Sequence, residues 1–130
     1  TPLTVVSNRV QIMRAVSTYT TNATGTDDPA LLDITTIRTL DYVRTAIDQR
    51  IALRFPRDKL MNKTALRVRS EILDVLVKCE EAEILEDVLE NKAKLVVQRN
   101  PNDANRLDAM VPADVVNGLH VFAARIDLYL

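Results

Sequence analysis

From His120 onward the chain alternates without a break. His120, Phe122, Ala124, Ile126, Leu128 and Leu130 fall on one side, and Val121, Ala123, Arg125, Asp127 and Tyr129 on the other. A repeat of two residues belongs to a β-strand, whose successive side chains point to opposite faces. Terminal segments usually fray unless something ties them down. This one keeps its pattern to its last residue, so the expectation is a long strand held in its own sheet or in a neighbour's.

The front of the chain alternates too. Leu3 to Val6 reads as a short strand, Ser7-Asn8 as a turn, and Arg9 to Thr20 as a long second strand with Val10, Ile12, Val16 and Thr18 on one face. Together they predict a hairpin. Residues 22–29, with Gly25, Asp27 and Asp28, form a polar loop.

Helical spacing takes over at Asp33. Its carboxylate is placed to cap a first helix, with Leu32 and Ile37 spaced for a hydrophobic staple. Ile34, Ile37, Leu40, Val43, Ile47 and Ile51 mark one face, and Pro56 stops the helix near Phe55. A second helix runs from about Thr64 to about Glu80. Val68, Ile72, Val75, Leu76 and Cys79 form its stripe, widened by Leu66, Leu73 and Val77. Residues 83–90 continue this helix or form a separate short one. Leu95 to Gln98 is a short strand, residues 100–105 a strong turn, and Arg106 to Val111 another strand ended by Pro112. The fold expected is α+β: a mixed or antiparallel sheet, two to three helices packed on one face, and long N-terminal and C-terminal strands.

With 130 residues the default is one domain with one core. Residues 1–130 are therefore expected to be a single domain. The opening Thr1-Pro2-Leu3 lacks an initiator Met, which suggests a fragment of a longer multidomain protein. Basic and acidic residues are interspersed around a net charge of −1, which gives no basic stripe for nucleic acid. The apolar runs are too short and too charged to span a membrane. Cys79 is the only cysteine, so no disulfide can staple the fold.

Candidate chemistry is sparse. His120 is the sole histidine and has no ligand at metal spacing. Gly25 and Gly118 are the only glycines, which excludes Gly-rich phosphate loops. Asp27-Asp28 and Glu80-Glu81, with Glu83, Glu86 and Asp87, read as solvated carboxylates. Ser7, Ser17 and Ser70 lack a base, and Cys79 reads as a buried small hydrophobe. Asn22-Ala23-Thr24 and Asn62-Lys63-Thr64 match a glycosylation pattern but read as a loop turn and a helix start. Arg14 shares a face with Val10, Ile12 and Val16, so it needs a partner. Asp33, Asp41 and Asp108 are all open to it. Arg106 and Asp108 share a strand face and are ion-pair candidates as well. No catalytic residue, cofactor or metal is expected.

The run Val10 to Ala23, Leu32-Asp33, Val97 to Asp108, Pro112 to Val116 and Leu119 to Ala124 together resemble the C-terminal domain of contractile phage tail sheath proteins, in the Mu-like branch. One departure is the segment 58–64, which is shorter than in the family and lacks glycine. The resemblance implies a structural subunit, not an enzyme. It implies identical subunits in hexameric stacked rings around a tail tube protein, located in the virion tail and assembled in the bacterial host cytoplasm. It implies strand addition between subunits that holds while the rings rearrange on contraction. By that carry-over Val121, Phe122, Ala124, Ile126, Leu128 and Leu130 belong to a donated arm, and Leu3, Val5 and Val10 to a receiving sheet or opposite arm. Two other readings stand beside it. One is a non-viral homo-oligomeric scaffold or adaptor. The other is a small enzyme using Arg14 with the Asp33, Asp41 and Asp108 cluster.

Overall fold

A computed structural model describes residues 2–129. The elements in chain order are β1 (Leu3–Val6), β2 (Arg9–Ile12), α1 (Ile34–Arg54), α2 (Asn62–Glu81), α3 (Val88–Asn91), a 3₁₀ turn (Lys92–Lys94), β3 (Val96–Arg99) and β4 (Leu107–Met110). The chain is α+β and its strands pair antiparallel, β1 with β2 and β3 with β4. They form two separate two-stranded hairpins, not the single sheet expected. The chain divides into two compact units. One comprises the residues up to Ile34 with the segment from Asn117, and the other is Thr35–Val116.

The unit Thr35–Val116 holds the core. Val68, Ile72, Val75, Leu76 and Cys79 line the inner side of α2, and all are buried. They recur at helical spacing, so one face carries them all. Val43 of α1, Leu85, Val88 of α3 and Leu95 complete the cluster. Ile47 and Ile51 of α1, Val97 of β3 and Leu107 of β4 pack around it. Leu66, expected to widen the α2 stripe, is instead exposed. Of the α1 stripe only Val43 is fully buried.

Polar bonds hold the same elements in register. Arg50 of α1 is only 17% exposed and donates to Glu71 at 3.0 Å and to Asp74 at 2.6 Å on α2. Arg69 of α2 donates to the carbonyls of Leu95 (3.1 Å) and Lys92 (2.9 Å), two acceptors in the turn before β3. At the start of α2 the Thr64 hydroxyl accepts from the Met61 N–H and donates to the Lys59 carbonyl. At its end the Ile84 N–H meets the Cys79 carbonyl and the Glu83 N–H meets the Glu80 carbonyl. This is a Schellman closure, with Glu83 at φ 59° in the position glycine usually takes. The Glu80 carboxylate then accepts the Val88 N–H at 2.8 Å, satisfying one free donor of α3. Residues 83–90 are thus a break followed by a separate short helix.

In the other unit β1 and β2 close through Ser7 and Asn8, at φ 50° and 61°. Positive φ at both central residues suits the turn that matches strand twist in a two-residue hairpin. Leu3 pairs with Ile12 and Val5 with Val10. The long second strand expected to reach Thr20 ends at Ile12. Beyond it the backbone makes scattered contacts in place of a ladder: the Met13 N–H on the Pro2 carbonyl at 2.9 Å, and an isolated bridge between Val16 and Asp33 in which the Ser17 N–H meets the Leu32 carbonyl at 2.6 Å and the Ile34 N–H the Ala15 carbonyl at 3.2 Å. The expected C-terminal strand is also absent: residues 117–129 enter no strand pairing. Alternation sorts side chains onto two faces, but a strand exists only when its main chain finds a ladder.

Candidate functional site

The unit that lacks a core carries the candidate interface. Leu3, Val5, Val10 and Ile12 share one face of the β1–β2 hairpin because cross-strand partners point the same way. These four side chains are 58–71% exposed. The segment from Asn117 lies in the same unit. Val121, Phe122, Ile126 and Leu128 are strongly exposed, Ile126 most of all at 95%. Ala124 is exposed as well. Leu130 lies outside the described residues.

Arg14 and Asp33 anchor this unit. The Arg14 Nε donates to Asp33 Oδ1 at 2.6 Å and its Nη2 to Oδ2 at 2.8 Å. A parallel fork fixes orientation as well as charge. The bond from Arg14 holds the Asp33 carboxyl below the ordinary carboxylate range, and Asp33 in turn raises the Arg14 guanidinium. His120 Nε2 stands 4.0 Å from Asp33 Oδ2 and brings the later segment to the same carboxylate. Asp33, expected to cap α1, instead turns both of its oxygens to Arg14. Arg14 therefore meets Asp33, and neither Asp41 nor Asp108. Asp41 faces Arg44 at 3.9 Å. Asp108 accepts from Arg106 at 2.7 Å and from the Asn100 amide at 2.7 Å, closing the β3–β4 turn.

The remaining polar candidates have structural roles. The Asp28 carboxylate accepts the Ala30 N–H (3.0 Å) and the Tyr19 hydroxyl (2.8 Å), which lower its pKa in that order. Asn22 Oδ1 accepts from the N–H groups of Thr24 and Thr26, shaping the loop. The Cys79 thiol is buried, and burial pushes its pKa up. A raised pKa disfavours the reactive thiolate. Among the described residues no group of three or more His, Cys, Asp or Glu is placed to hold a metal.

Two contacts escape the sequence reading. Arg50 lies between Ile47 and Ile51 at the margin of the α1 stripe, a position where a cation needs an acidic partner on the next helix. Glu80 reads as solvated in the sequence, yet its carboxylate turns back over the break after α2 to cap α3 at Val88.

Comparison with known proteins adds the family. The model of the phage tail sheath C-terminal domain matches residues 26–129. The Mu-like prophage FluMu tail sheath protein of Haemophilus influenzae is 32% identical over 131 aligned positions. The match takes in 92% of this chain and 27% of that protein, so the chain spans about a quarter of its relative's length. No solved structure matches the chain. The tail sheath is a structural family with no catalytic role. The family match and the sequence resemblance agree, and this chain belongs to the phage tail sheath C-terminal domain family, in its Mu-like branch.

Proposed function

We propose that this chain is one C-terminal-type domain of a longer contractile tail sheath subunit, and that it polymerises around a tail tube by strand addition between subunits. The segment 121–130 is the donated arm, and the β1–β2 hairpin takes part as receiving sheet or opposite arm. Identical subunits stack as hexameric rings in the virion tail, after assembly in the host cytoplasm. On contraction the rings rotate and widen while the main-chain ladders hold. Side-chain contacts exchange around them.

The observation that supports this reading is the exposed, alternating stretch from Val121 to Tyr129, which pairs with no strand among the described residues. Its sequence alternates so that an extended backbone would sort its side chains onto two faces, and its main chain offers donors and acceptors for a ladder. Adding it to another subunit's sheet edge would satisfy both at once. The test is removal of residues 123–130 from the full sheath subunit. Electron microscopy should show no tubes, while circular dichroism of the truncated domain should keep its helical signal. Tubes that persist, or a domain that unfolds, would overturn the assignment of this segment.

A further inference from the structure

The two ends of α2 carry opposite charge. Residues 57–67, around its start, hold four basic residues and one acidic. The acidic one, Asp58, is taken by Arg67 at 3.0 Å. Arg57, Lys59 and Lys63 are exposed and, among the described residues, make no ion pair. Arg99 adds a further cation there, donating to the Leu60 carbonyl at 2.8 Å. Residues 80–90, past the other end, hold six acidic residues and no basic one. None of the six is ion-paired among the described residues. Lys78, the cation nearest to them on α2, is taken by Asp74 at 3.1 Å.

This polarity works against the helix that carries it. A helix favours anions at its start and cations at its end. The first turn of α2 has no acidic residue and includes Lys63, and its last turn sets Glu80 and Glu81 against the single cation Lys78. Helix stability does not account for the arrangement. Apolar surface accompanies each charged end. Met61 and Leu66 are exposed beside the cations. On the acidic side a groove of about 570 Å³ runs over Leu85, Leu89 and Val116, rimmed by Glu83, Glu86 and Glu90. The two surfaces are separated by the length of a 20-residue helix, about 30 Å.

We infer that the basic α1–α2 corner of one copy docks into the acidic groove beside α3 of a second copy, head to tail. Two different, complementary patches on one molecule make a heterologous contact, which propagates into rings or filaments. The occupant is a second copy because the same chain presents cations and apolar side chains that complement the groove's carboxylates and apolar floor. This contact goes beyond strand addition: it uses only the unit Thr35–Val116 and needs no donated arm.

Sedimentation velocity of the full 130-residue chain tests it. The chain should self-associate at low salt and dissociate as salt screens the contact. Lys59→Glu with Lys63→Glu, or Glu86→Lys with Glu90→Lys, should each weaken association by about tenfold or more. An equimolar mixture of the two variants should associate again, and so should the chain carrying all four changes. All four positions are exposed, and Glu80 is left intact because it caps α3. Circular dichroism checks folding, and glutamine at the same positions replaces any reversal that unfolds. A chain monomeric at low salt, a reversal without effect, or a mixture that stays monomeric would overturn the contact. Deleting 123–130 should leave this association unchanged. If that deletion abolishes it while the reversals do nothing, the association belongs to the arm and this inference fails.

Discussion

Nine apolar side chains are buried in Thr35–Val116, whereas among the described residues the other unit buries none. Both stretches are rich in Leu, Ile and Val, so composition does not separate them. What separates them is whether the apolar faces have found partners. In Thr35–Val116 the α2 stripe is covered by α1, α3 and the β3 region. In the other unit the hairpin face and the segment from Asn117 keep theirs in solvent. The first unit buries its apolar stripe, and the second leaves its apolar side chains exposed.

The largest effect should come from the core. Leu76 is 1% exposed, and Leu76→Ala should cost about 2–5 kcal/mol by denaturant unfolding. Ile126→Ala should change stability by less than about 0.5 kcal/mol. Comparable losses at both positions would break the contrast, since they would place Ile126 in a core. A smaller loss is expected at Cys79, also buried. Cys79→Ser places a hydroxyl among apolar neighbours and should cost about 1–3 kcal/mol. The native thiol should react with alkylating reagents only when the unit opens, and fast labelling under native conditions would contradict its burial.

The smallest effect concerns acid. Bonding to Arg14 depresses the folded pKa of Asp33, and the Ala30 N–H does the same for Asp28. A depressed carboxyl stabilises the folded form above its unfolded pKa of about 4, and that contribution fades as pH falls through the lower folded value. Amide protection at Ser17 and Ile34 should therefore hold from neutral pH to about 5 and decline only below about 4. Asp33→Asn should remove most of that dependence. An unchanged acid profile in this variant would show that the Arg14 fork does not hold the unit together.

Much of the fold is legible in the sequence. The α2 stripe from Val68 to Cys79 can be read because a broad buried face imposes helical spacing on several residues at once. Ser7-Asn8 can be read because few residue pairs accept two positive φ angles. The α1 stripe is correctly spaced but overstated: Ile34 is exposed, since spacing reports a face and not whether anything covers it. The same limit explains residues 13–20 and 120–129, where the sequence alternates and the ladder is missing. Arg14 visibly needs an acid, yet only the return of the chain at Leu32 and Asp33 selects which one. Fold class and the sorting of apolar residues onto faces are thus accessible from pattern, while their exposure and the individual pairings require three dimensions.

The Schellman closure after α2 carries one further consequence. A left-handed residue other than glycine stores about 1–2 kcal/mol of conformational cost. The chain accepts this at Glu83 and again at Asp87, φ 59° and 55°, while its only two glycines are Gly25 and Gly118. Glycine at position 83 would relax the backbone and delete a carboxylate from the rim of the groove. Ease of folding and anionic character are therefore in opposition at that single position, and the molecule keeps the acid.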